Sequence, residues 1–75
     1  MDSKRAYYDV LTRTWKTFGA ALEVAPMIKD PQDRRWVDIC DALERIEADV
    51  PPELSYYAGS MVAIHMDVLE RMWRK

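Results

Sequence analysis

The sequence predicts an all-α fold, a three-helix up-down-up bundle, and three observations carry that expectation. Prolines cut the chain into three segments, since a proline inside a helix removes a donor and clashes with the preceding turn. Within each segment apolar residues recur at spacings of three and four, the helical period. No stretch alternates apolar and polar residues as a half-buried strand would. The connections are short, about six residues and then two or three, which favours antiparallel neighbours. The alternative is a helical hairpin with the remaining helix splayed and completed by a partner chain. Either way, residues 1–75 read as a single helical domain with helices at roughly 3–24, 31–49 and 52–74.

The first helix spans Ser3 to Val24, with Asp2 or Ser3 able to cap its first turn. Tyr7, Val10, Leu11, Thr14, Trp15, Phe18, Ala21, Leu22 and Ala25 fall in one arc, and Arg5, Asp9, Lys16 and Glu23 lie opposite. Asp9 and Arg13 are spaced to pair across one turn. In the following connection, Met27 and Ile28 are expected to fold back over the open end of the bundle, or else to form a partner-binding tip.

For the second helix the expected start is Asp30 as N-cap with Pro31 in the first helical position. Trp36, Ile39, Cys40, Leu43, Ile46 and Val50 then trace a narrow apolar stripe, and Trp36 should meet Phe18 and Leu22. Pro51 ends the helix by disfavouring the α conformation at Val50.

The third helix begins at Pro52 or Glu53 and carries its apolar centre on Leu54, Tyr57, Ala58, Met61, Ile64, His65, Val68, Leu69 and Met72. Val62, Met66 and Trp73 extend that face to about 200°, whereas packing on one side needs a stripe of only ~100°. The excess predicts contact with two neighbours, one of them another chain. Val62, Met66, Leu69, Trp73 and Gly59 are the candidate interface residues. Gly59 and Ala63 form a small-x-x-x-small step that either lets a helix approach closely or is merely tolerated beneath a tyrosine.

Composition narrows the function. Eleven basic against 13 acidic residues give a net charge of −2, which lacks the basic excess of a general phosphate binder. With 49% hydrophobic residues the chain is too apolar for disorder. It holds no uncharged apolar run of ~18 residues, so no membrane span is expected. The first residues lack the apolar core of a secretory signal, and Cys40 has no second cysteine to pair with, so a cytoplasmic location is expected.

Chemistry-bearing patterns are sparse. One histidine and one cysteine, with no His-x-x-His, Cys-x-x-Cys or Glu-x-x-His spacing, give no metal site and imply no cofactor. Asp38, Asp41 and Glu44 recur on the outer side of the second helix, as a solvated acidic face does. Cys40 lies on an apolar stripe, where a thiol behaves as a small hydrophobe. His65 is expected buried, neutral and structural. Both glycines fall inside helices, so there is no phosphate-binding loop.

The expected function is therefore that of a small non-enzymatic module for protein–protein interaction or self-association, as a homodimer. The alternative is a nucleic-acid-associated regulatory module using a basic pole of Arg34, Arg35, Arg71, Arg74 and Lys75. It is the weaker reading, because the second helix offers only Gln32 as an amide reader and its outer face is acidic.

Overall fold

The computed structural model describes residues 3–74. Among these residues there are three α-helices and no strand: α1 (Ser3–Val24), α2 (Arg34–Asp49) and α3 (Ser55–Trp73). They form an up-down-up bundle in which each helix packs on both others. The molecule measures 43 × 18 × 17 Å, its long axis set by the 22-residue α1. Asp2 and Lys75, assigned a cap and a place in the basic pole, lie outside the described residues.

Helix α1 occupies the span its periodicity predicts. Val10, Thr14 and Ala21 are buried along one line. Thr14 is fully enclosed, and its hydroxyl donates to the Val10 carbonyl oxygen at 2.6 Å, so burial leaves no donor unmet. Arg13 does not pair with Asp9. It reaches across to Asp49 at the end of α2, at 2.8 Å, a contact between helices that spacing along one helix cannot foresee. A 3₁₀ turn over Ala25–Met27 then leads out of α1. Ile28 is buried in the core and Met27 is half exposed, so only one of the two residues closes the end of the bundle.

Helix α2 begins three residues later than expected. Asp33, not Asp30, is its N-cap, accepting from the Arg35 backbone N–H at 2.9 Å. Asp30 instead organises a turn, its carboxylate accepting from the Gln32 backbone N–H at 2.8 Å. The Arg35 side chain binds Asp33 at 2.7 Å and donates to the Met27 carbonyl oxygen at 2.8 Å, tying the connection to the new helix. Arg35 therefore holds the Asp33 carboxyl well below the usual carboxylate range. Trp36, Ile39, Leu43 and Ile46 form the buried stripe.

After Pro51 the chain makes a 3₁₀ turn over Pro52–Leu54 before α3 starts at Ser55. Most of the core is one cluster that joins Leu43 and Ile46 of α2 to Ala21 of α1 and to Val62 and Leu69 of α3. Phe18, Leu22 and Trp73 pack against this cluster, of which Trp36 is a member. Trp36 and Trp73 meet edge to face at 5.4 Å. At the other pole Val10, Leu54 and Ala58 make a smaller cluster, and Tyr7 meets Tyr57 edge to face at 5.0 Å.

Candidate interaction surface

Two sides of α3 are distinguished by what they touch. Trp73 and Gly59 turn towards α2: Trp73 meets Trp36, and a Cβ on Gly59 would lie 3.3 Å from a carboxylate oxygen of Glu47. Tyr57 and His65 turn towards α1, where they meet Tyr7 and Phe18. The buried midline runs through Ala58, Val62 and Leu69. Of the candidate interface residues, Val62 (3% exposed) and Leu69 (fully buried) thus belong to this chain's own core. Met66 and Trp73 are half-buried against that core, and Gly59 lies beneath Glu47, not beneath a tyrosine. The face expected at the flank is the inner face.

The exposed apolar surface lies on the opposite side, towards α1. Ile64 is 61% exposed, and Val68 and Met72 are exposed beside it. On α1, the side that carries Tyr7 and Phe18 towards α3 continues round to Leu11, Tyr8 and Trp15, which is 67% exposed. Helical spacing sets Leu11 and Trp15 between Tyr7 and Phe18, and sets Ile64 between Tyr57 and His65. The two ring contacts bring these stretches side by side. The exposed residues of the two neighbouring helices therefore flank the α1–α3 contact and make up one apolar face.

His65 sits at the floor of that face. Its ring stacks on Phe18 with centroids 4.1 Å apart, and its Nδ1 is buried without a hydrogen-bond partner. Desolvation lowers its pKa, which keeps the imidazole neutral near pH 7. The carboxylates that could have paired with it are engaged elsewhere, with Asp67 on Arg71 at 3.1 Å and Glu47 over Gly59. Cys40 carries no sign of activation. Burial pushes its thiol pKa up, and the carboxylates of Glu44, Asp41 and Glu70 push it the same way.

Among the described residues, each arginine of the basic pole faces a carboxylate. Arg34 pairs with Asp38 at 3.1 Å, Arg35 with Asp33, Arg71 with Asp67, and Arg74 with Glu70 at 3.6 Å. Arg74 also lies over the Trp73 ring, 4.9 Å from its centroid. An open groove of about 510 Å³ runs between α1 and α2, shallow because Ala20, Ala21 and Ala42 line it, with Lys16, Arg35 and Asp38 at its edges. The one hydroxyl in its lining, Thr17, donates to the Arg13 carbonyl oxygen at 3.0 Å. Among the described residues there is no group of three or more His, Cys, Asp or Glu side chains placed to hold a metal ion, and no helix long and apolar enough to cross a membrane.

Exposed apolar residues resemble core residues in a sequence, so Leu11, Trp15, Ile64 and Val68 had been placed in the interior arcs. The width of the arc on α3 signalled a surplus of apolar surface without locating it. Comparison of the chain with protein-family models, with curated proteins and with solved structures gives no match.

Proposed function

We propose that this chain is a small non-enzymatic, cytoplasmic module that binds protein through the apolar face shared by α1 and α3. One observation carries the reading: Leu11 and Trp15 on α1 and Ile64 and Val68 on the neighbouring α3 are all exposed. Monomeric domains seldom leave a contiguous apolar patch of more than ~300–600 Å² in water, and a rigid aromatic such as Trp15 is a typical interface anchor. Each described arginine of the basic pole already faces a carboxylate, which is why the nucleic-acid alternative ranks lower.

The test is site-specific photo-crosslinking in the native host. A photoreactive phenylalanine analogue replaces Trp15 in one variant and Asp41, on the outer acidic side of α2, in another. Crosslinks to protein from position 15 and none from position 41 are expected. Equal yields from both positions, or no protein adduct from position 15, would overturn the proposal.

A further inference from the structure

Three observations identify what covers this face, on the reading that it binds protein. The first is Gly19. A glycine inside a helix weakens it, and some close approach normally compensates. Here no atom of the chain beyond its own helix lies within 4 Å of where the Gly19 Cβ would be. The gap serves no contact inside this chain, and it opens one turn beyond Trp15, at the edge of the apolar face.

The second is charge. Arg5 and Glu23 share one line along α1, about 40° beyond Gly19 on the side away from α3, five turns and about 27 Å apart at 1.5 Å per residue. Neither has an ion-pair partner among the described residues. If a second α1 lies antiparallel across the first, Arg5 of each copy meets Glu23 of the other. The two-fold axis then crosses α1 at Thr14. The same axis, to within half a residue, sets Tyr8, 64% exposed, over Gly19 of the other copy. Leu11 and Trp15 flank the crossing point. Two pairings of unrelated chemistry thus require one register.

The third is area. The exposed parts of Tyr8, Leu11, Trp15, Ile64, Val68 and Met72 amount to about 600 Å² per chain, taking ~150–250 Å² for a large side chain. Doubled by symmetry, that reaches ~1,200 Å², the lower bound for a specific interface. An antiparallel arrangement also opposes the helix dipoles of α1 and α3, which run parallel within each copy.

We infer that the occupant of the face is a second copy of this chain, forming a two-fold symmetric antiparallel dimer. Tyr8 of each copy seats on Gly19 of the other, and Arg5–Glu23 pairs close both ends. A parallel dimer would set α1 against α3 of the partner copy and leave Arg5 and Glu23 far apart.

Sedimentation of the full chain from low micromolar to submillimolar concentration tests this. A monomer–dimer equilibrium is expected. Gly19→Gln, a better helix former, should keep or raise the melting temperature of the dilute monomer and weaken dimerisation at least about tenfold. Arg5→Glu and Glu23→Arg should each weaken dimerisation roughly three- to tenfold, and the double exchange should restore it to within about twofold. A monomer throughout would overturn the inference, as would a dimer indifferent to Gly19→Gln and not rescued by the double exchange. Should the purified chain stay monomeric while position 15 still crosslinks to another protein in cells, the second-copy inference fails and the binding face stands. If position 15 captures nothing, both fail.

Discussion

Replacing Trp36 and Trp15 by alanine, one at a time, separates the core from the face with the same chemical deletion. Trp36 is 8% exposed and Trp15 is 67% exposed. An aromatic side chain presents up to ~250 Å², so covering nine-tenths of it at ~25 cal/mol per Å² contributes about 5 kcal/mol. Residual compactness of the unfolded chain trims this to about 4 kcal/mol, within the ~3–5 kcal/mol typical of Trp→Ala in a core. The lost edge contact with Trp73 belongs to the same loss. For Trp15, with about a third of its surface covered, the corresponding figure is about 1 kcal/mol.

The assay is urea unfolding followed by far-ultraviolet circular dichroism, at a concentration low enough to hold the chain monomeric. With a slope of ~1 kcal/mol per molar urea, Trp36→Ala should lower the midpoint by about 4 M and Trp15→Ala by about 1 M or less. A chain of this size has a total stability of only ~4–11 kcal/mol, so Trp36→Ala can fall below the folding threshold. Trp36→Phe, which keeps most of the apolar volume, then supplies the graded measurement, with an expected loss of about 1–2 kcal/mol. Equal midpoints for the Trp36 and Trp15 variants would show that the buried stripe of α2 is misassigned.

Further outcomes follow from single side chains. His65 has a lowered pKa in the fold, so the unfolded chain takes up more protons near pH 6, and stability should fall as pH drops below the unfolded value of ~6.5. Urea midpoints of His65→Leu and the natural chain from pH 5 to pH 8 isolate this, and a natural chain that gains on the variant at low pH would contradict it. Asp33 is depressed by Arg35, so its contribution is present above the unfolded carboxylate pKa of ~4 and lost as pH falls below it. Asp33→Asn should flatten the acid limb of the stability curve, and an unchanged limb would contradict the pairing with Arg35. Gly19→Ala should stabilise the monomer by about 0.5–1 kcal/mol, since its Cβ meets open space. Gly59→Ala should gain less in the same thermal melt, because the Glu47 carboxylate must first move aside.

The helices were legible because proline and apolar spacing act within one segment. Val10, Ala21, Trp36, Ile39, Leu43 and Ile46 are buried as their spacing indicates. The up-down-up topology brings the first turns of α1 and α3 to one pole, where Tyr7 meets Tyr57. The start of α2 was misplaced because Asp30 and Asp33 are both competent caps three residues apart. What distinguishes them is a tertiary tie, the reach of Arg35 to the Met27 carbonyl.

The face of α3 was misplaced for a different reason, and that reason bears on function. A stripe only as wide as its contact has an identifiable centre, as on α2. When apolar residues cover about 200° of a helix, every choice of centre satisfies the pattern equally. Packing makes the choice instead, through Trp73 against Trp36 and Gly59 beneath Glu47, and it leaves Ile64 and Val68 outside. Those two residues, with Leu11 and Trp15, contribute little to the folded monomer. Polar side chains in their places would serve its solubility better. Their cost is offset only when something covers them, so the property that blurred the helix face in the sequence is also what motivates the proposal that this chain binds protein there.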